Sequence, residues 1–156
     1  SEVAPIEDDN FKQYFSQDNF FLWTKGDKTR LLEEMAESLS VDESVDFKQS
    51  LLYEIKQREE LSSVVFSDKI AVPHPIMPLG KEVKISVAIC QEPVSWDSQS
   101  SHIQLVFLLS PSKYGNEGLA DVTAKIVSLT ENDDLQKQLI KCKDFEEFIT
   151  IFEKIT

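Results

Sequence analysis

The chain has 156 residues, of which 41% are hydrophobic and 28% are charged, as is typical of a single globular domain. Its 28 acidic residues outnumber its 16 basic residues, which gives a formal net charge of −12. This acidic excess argues against direct binding to nucleic acid or to an anionic membrane surface, and it favours a partner with a basic face.

The N-terminal part of the chain is predicted to hold a lead and one short extended segment. Residues 1–10 are acidic and polar, which indicates a linker or disordered lead, and the folded domain is expected to span residues 11–156. Phe20–Trp23 is typical of a short extended segment. Because the chain begins with Ser, we expect either a processed protein or a piece of a longer one.

Two helices are predicted next. Asp27 and Thr29 can cap a helix that runs through about Ser38, with apolar residues at helical spacing. Ser44 can cap a second helix, which is expected to end near Glu60.

The middle of the chain is predicted to form strands. The segments with β-like patterns are Val64–Phe66, Ile70–Val72, Val83–Cys90, Val94–Trp96 and Ile103–Leu109. The β-like pattern is weakest in Val94–Trp96. The last is almost continuously apolar, which predicts a strand that is covered on both faces.

Three further helices are predicted after the strands, over about Leu119–Leu129, Asp133–Ile140 and Asp144–Lys154. Helices therefore flank the strands in sequence, which predicts a layered α/β domain.

His74 is the main candidate for chemistry, since it lies between Pro73 and Pro75 directly after an apolar strand. The two prolines restrict the backbone and exclude a regular helix there. An imidazole is a good nucleophile near neutral pH, and it can accept and release a phosphoryl group. From the residues alone, the alternative is a surface histidine in a proline-bounded turn.

Residues 58–74, REELSSVVFSDKIAVPH, resemble the active-site segment of mannitol/fructose-type enzyme IIA domains of the bacterial phosphoenolpyruvate-dependent sugar phosphotransferase system (PTS). In that family an Arg-Glu pair ends a helix, and an Ala-X-Pro-His run follows at this spacing. The resemblance implies that His74 is the phosphorylated residue and that Arg58 stabilises the phosphoryl group. The planar guanidinium suits such an anion, although Arg58 could instead only stabilise its helix C-terminus.

The resemblance extends from about Asn19 to Ile155. It implies a mixed β-sheet sandwiched between helices on both faces, phospho-HPr as the phosphoryl donor, and neither a cofactor nor a metal. With only two histidines and no cluster of Cys and His, the sequence itself offers no metal-ligand set.

This sequence departs from the family pattern at several positions. The small residue that usually follows the histidine is Pro75, which removes a backbone N–H. Val64 and Ser67 replace a common Thr and a common Gly or Ala. Many transport members carry a second histidine at the next helix, whereas the equivalent residues 116–119 read NEGL. These differences argue against onward transfer of phosphate to a sugar permease.

The remaining candidate residues are interpreted as structural. His102 is expected at a strand edge, Cys90 is expected to be buried and inert, and Trp96 is expected in the core. The two cysteines form neither a disulfide framework nor a CxxC motif, and no G-x-S-x-G segment indicates a hydrolase.

Three functions remain open. The favoured one is a regulatory IIA-like domain of a transcriptional activator or antiterminator, in which phosphorylation of His74 reports the carbon source. The second is a PTS phosphotransferase component that carries phosphate to a permease, and the third is a non-phosphorylated domain used for protein contacts. We expect a cytoplasmic location, since no apolar run approaches the ~18 residues that span a bilayer.

Overall fold

A five-stranded mixed sheet forms the centre of the domain in the computed structural model, which describes residues 10–24 and 26–156. The strands are β1 (Phe20–Trp23), β2 (Val65–Ser67), β3 (Ile70–Ala71), β4 (Lys84–Val94) and β5 (Ile103–Ser110). Their order in the sheet is β1-β4-β5-β3-β2. Apart from residue 10, the lead expected over residues 1–10 lies outside the described residues.

The strand directions decide which loops meet at the same edge of the sheet. β3 and β5 are parallel, whereas β4 is antiparallel to β5. The carboxyl ends of β3 and β5 and the amino end of β4 therefore share one edge, which we call the upper edge. The segment that carries His74 leaves β3 at this edge.

In the described part of the chain, five α-helices and two short 3₁₀-helices accompany the sheet. The helices are α1 (Lys28–Leu39), α2 (Phe47–Leu61), α3 (Leu119–Leu129), α4 (Asp133–Ile140) and α5 (Phe145–Glu153), and the 3₁₀-helices cover Asn10–Tyr14 and Gln17–Asn19. Asp27 caps α1 as predicted, because its carboxylate accepts from the Arg30 amide. Ser44 does not cap α2: its hydroxyl donates to the carboxylate of Asp46, which occupies the N-cap position.

Helices cover both faces of the sheet, which confirms the predicted α/β sandwich. Alternate residues of β5 point to opposite sides. On one side Val106 and Leu108 pack in a core with α1 and α2. On the other, Leu105, Phe107 and Leu109 pack with α3, α4, α5 and the first 3₁₀-helix. We call these the α1–α2 face and the aromatic face.

The separate strand expected over Val94–Trp96 is absent from the described chain. Instead β4 continues to Val94, which pairs with Ile103 of β5 across an irregularity in the register. Trp96 lies in the connection between the two strands, where its amide donates to the Ser100 carbonyl at 2.7 Å. The exposed residues 91–93 hid this continuation, because they interrupt the apolar pattern. Among the described residues, no helix is long and apolar enough to cross a bilayer.

Candidate functional site around His74

The backbone before His74 is fixed along the edge of the sheet. The amide of Val72 donates to the carbonyl of Val64 at 2.9 Å, and the amide of Leu109 donates to the carbonyl of Pro73 at 3.0 Å. Pro73 itself is buried. The chain therefore reaches His74 in a rigid extended form, as its flanking prolines predict.

The imidazole of His74 is held in a single orientation and is only half-buried. Its Nδ1 lies 2.8 Å from the carbonyl oxygen of Val72. Because a carbonyl can only accept, Nδ1 carries the proton and Nε2 keeps its lone pair. The geometry thus prepares Nε2 to act as a nucleophile.

Arg58 lies in the last turn of α2, with its side chain half-buried. Its Nη1 donates to both the carbonyl and the hydroxyl oxygen of Ser62, each at 3.0 Å. This contact stabilises the helix C-terminus, as the alternative interpretation of Arg58 expected. Within the described part of the chain, the other guanidinium nitrogens have no hydrogen-bond partner.

A hydrogen bond between Glu54 and the loop after His74 places α2 beside the site. The Glu54 carboxylate accepts from the Met77 amide at 3.1 Å. Glu54 lies four residues before Arg58, so both side chains lie on one face of α2. The structure therefore directs the Arg58 face of α2 to the His74 segment, although no hydrogen bond joins Arg58 to His74.

Glu59, the partner of Arg58 in the sequence motif, has a structural contact. Its carboxylate pairs with Lys28 at 2.6 Å and accepts from the indole N–H of Trp96 at 3.1 Å. The Lys28 ammonium lies 4.8 Å from the centre of the Trp96 ring. Trp96 is 5% exposed, which confirms its predicted core position. The three side chains fasten the end of α2 to α1 and to the β4–β5 connection.

His102 and the cysteines lie away from the site. His102 is exposed at the amino end of β5, roughly 25 Å from the upper edge along this eight-residue strand. Its Nδ1 lies 2.8 Å from the Ser101 hydroxyl. Cys90 and Cys142 are buried, and burial raises the pKa of each thiol to about 12, so both stay protonated and unreactive at neutral pH.

The start of α3, where many transport members carry a second histidine, contains no histidine here. Gly118 occupies the N-cap with a φ of +84°, and a Cβ there would lie 2.7 Å from the Tyr14 hydroxyl. Tyr14 in turn donates to the carbonyl of Glu117. The left-handed backbone and the nearby Tyr14 hydroxyl together favour glycine at position 118.

A cleft of about 690 Å³ opens near this helix start, and it was not predicted. Its lining includes Tyr14, Lys81, Ser112, Glu117 and Asp121. Among the described residues, neither His74 nor Arg58 lines it. No group of three or more His, Cys, Asp and Glu side chains in the described chain could hold a metal ion.

Sequence reasoning missed Glu54 and Ser62. The i,i+4 spacing of Glu54 and Arg58 on α2 was a readable signal that both lie on one face. The contact with Met77 was not readable, because it joins residues 23 apart in sequence. Ser62 lies directly after α2 and could have been recognised as a C-terminal partner for Arg58.

Comparison with known proteins identifies the family. The model of the family described as "Phosphoenolpyruvate-dependent sugar phosphotransferase system, EIIA 2" matches residues 13–155. The chain is 28% identical over 106 residues to the "Probable licABCH operon regulator" of Bacillus subtilis, covering 68% of this chain and 16% of that protein. It is 23% identical over 128 residues to "Multiphosphoryl transfer protein 1" of Escherichia coli, covering 81% of this chain and 15% of that protein. The chain thus spans about one sixth of the length of these relatives.

Solved structures show the same fold. The nitrogen regulatory protein IIA-Ntr from Neisseria meningitidis superposes with a TM-score of 0.75 at 20% identity, covering 91% of this chain and 98% of that one. IIA mannitol from Escherichia coli superposes with a TM-score of 0.68 at 17% identity, covering 88% of this chain and 97% of that one. Both the fold and the resemblance read from residues 58–74 are confirmed.

Proposed function

Since this chain belongs to the EIIA 2 family of the phosphoenolpyruvate-dependent sugar phosphotransferase system, we propose that it accepts a phosphoryl group on His74. The observation that supports this most directly is the half-buried imidazole whose Nδ1–H is bound to the Val72 carbonyl. The donor in this proposal is phospho-HPr, and the reaction takes place in the cytoplasm.

The reaction is a phosphoryl transfer between two nucleophiles. The Nε2 lone pair of His74 attacks phosphorus, and the bond from phosphorus to the donor breaks. Positive charge develops on the ring as the new bond forms. The hydrogen bond from Nδ1 to the Val72 carbonyl stabilises that charge and prevents attack by the other nitrogen.

Arg58 supplies the positive charge that the transferring group requires. Its other guanidinium donors, which have no hydrogen-bond partner among the described residues, are available to the phosphoryl oxygens. The net charge of −12 attracts a donor with a basic face, and added salt weakens that attraction.

The phosphorylated domain is proposed to report the state of the phosphotransferase system to a larger transcriptional regulator. The similarity to an operon regulator supports this role, and so does the start of α3, where residues 116–119 contain no second histidine. The similarity to a multiphosphoryl transfer protein keeps a transport carrier as the second candidate.

The test is phosphorylation of the purified chain with phosphoenolpyruvate, enzyme I and HPr. We expect one acid-labile phosphate on the wild type, none on His74→Ala, and a normal amount on His102→Ala, which removes the only other histidine. Two-dimensional ¹H–¹⁵N and ³¹P NMR of the product should show phosphorus on Nε2. An unmodified wild type beside an active control carrier would rule out phosphoryl acceptance.

A second experiment separates the regulator from the carrier. The phosphorylated chain is mixed with a panel of purified IIB domains, and the loss of its phosphate is followed over time. A regulatory domain should keep its phosphate with every IIB domain and return it to HPr, whereas rapid loss to one IIB domain would favour the transport carrier.

A further inference from the structure

We propose that Glu54 is a positioning residue for phosphorylation: its carboxylate holds the loop after His74 against α2 and, while it does so, does not pair with Arg58. This inference rests on the proposed function. It gives a role to a side chain that lies outside the sequence motif.

The loop after His74 has few other attachments. Ile76 and Met77 are 49% and 63% exposed, and Pro78 is also exposed, so packing holds this loop only at its ends, through buried Pro75 and partly buried Leu79. Within the described chain, the bond from the Met77 amide to Glu54 is the only hydrogen bond between the backbone of residues 75–79 and the rest of the protein.

The backbone on each side of the loop is anchored by hydrogen bonds, so only the position of its middle is left to be set. Before His74 the chain is bound to the sheet through Val72 and Pro73. After the loop, the Gly80 amide donates to the Pro111 carbonyl at 3.2 Å, and the Gly80 carbonyl accepts from Lys113 at 2.8 Å. Within the described chain, Glu54 is therefore the one side chain that holds the loop by a hydrogen bond between these two backbone anchors, and it does so at Met77, three residues after His74.

The same contact affects Arg58. A Glu four residues before an Arg on a helix favours an ion pair, yet Glu54 and Arg58 form none in the structure. Glu54 instead binds Met77, and Arg58 binds Ser62. If the Met77 contact were lost, the carboxylate would be free to pair with Arg58 and to compete with the phosphoryl group.

The experiment compares Glu54→Ala, Glu54→Gln and the control Glu34→Ala, which removes an exposed carboxylate on α1. Amide hydrogen exchange by NMR reports on Met77, and the initial rate of phosphorylation by phospho-HPr reports on His74. We expect Glu54→Ala to lower both the Met77 protection and the maximal rate by about tenfold, the scale of losing one charge-assisted hydrogen bond. Glu54→Gln keeps an acceptor oxygen, so it should retain most of the wild-type Met77 protection and most of the wild-type phosphorylation rate.

The outcomes distinguish this inference from the proposed function. If Glu54→Ala matched Glu34→Ala in rate, or lost rate with unchanged Met77 protection, the positioning role would be overturned. If only the protection fell, Glu54 would be a structural tether and the proposal would be wrong. If the wild type took no phosphate, the proposed function would fail, and the positioning role with it.

Discussion

The two faces of the sheet are built in different ways. On the aromatic face, Phe148 is fully buried and its ring lies 5.4 to 6.4 Å from five other phenylalanine rings. On the α1–α2 face, a mainly aliphatic core that also holds Trp23, Phe47 and Trp96 is supplemented at the helix ends by polar contacts, among them Glu59 with Lys28 and Glu54 with Met77. The contact between Glu54 and Met77 lies beside the His74 segment.

This difference has a physical cause. Aromatic burial is strong but weakly directional, so it stabilises the domain without setting the position of a reacting atom to a fraction of an ångström. Hydrogen bonds and ion pairs contribute less free energy, but they fix distances and angles. We therefore expect changes on the aromatic face to lower stability, and changes at the end of α2 to lower the rate of phosphorylation.

The largest effect is expected from Phe148→Ala. Removing a fully buried phenylalanine that contacts several other rings should lower the free energy of unfolding by about 4 kcal/mol. Urea denaturation followed by circular dichroism measures the change. The control is Phe66→Ala, since Phe66 is 37% exposed at the sheet edge and should cost about 1 kcal/mol or less. Equal losses in the two variants would contradict the comparison of the faces.

A smaller effect, on the rate rather than on stability, is expected from Arg58→Lys. Lysine keeps the charge but loses the forked donors, so the rate of His74 phosphorylation should fall about 30-fold, which corresponds to roughly 2 kcal/mol. The free energy of unfolding should change by no more than about 0.5 kcal/mol. Arg30→Lys, on the exposed surface of α1, is the matched control and should change neither the phosphorylation rate nor the free energy of unfolding. A loss of stability with an unchanged rate would assign Arg58 to the helix end alone.

The smallest effect is expected from Glu59→Gln. Glutamine keeps an acceptor for the Trp96 indole but removes the half-buried ion pair with Lys28, which should lower the free energy of unfolding by about 1 kcal/mol. Glu37→Gln, which removes the more exposed pair with Lys48, should cost about half as much or less. Urea unfolding at low and high salt measures both, and the loss should shrink as salt screens the pair. A larger loss of unfolding free energy for Glu37→Gln than for Glu59→Gln would contradict this prediction.

Most of the elements could be predicted because their signals are local. The apolar spacing of α3, α4 and α5 gave bounds within a residue or two, and Asp27 was a correct cap. The error at Ser44 arose because a neighbouring carboxylate, Asp46, took the N-cap position. The merging of the expected strand near Val94 into β4 depended on pairing with β5, which no local pattern shows.

The sequence alone determined the α/β class, the pattern of apolar residues and the imidazole between two prolines, because side-chain periodicity and proline sterics act over a few residues. Only the tertiary structure decided that Glu54 contacts Met77 and that Tyr14 donates to the Glu117 carbonyl at the start of α3. The Glu54 and Tyr14 contacts join residues 23 and 103 apart in sequence. They exist because tertiary packing brings α2 beside the segment after β3 and the first 3₁₀-helix beside α3.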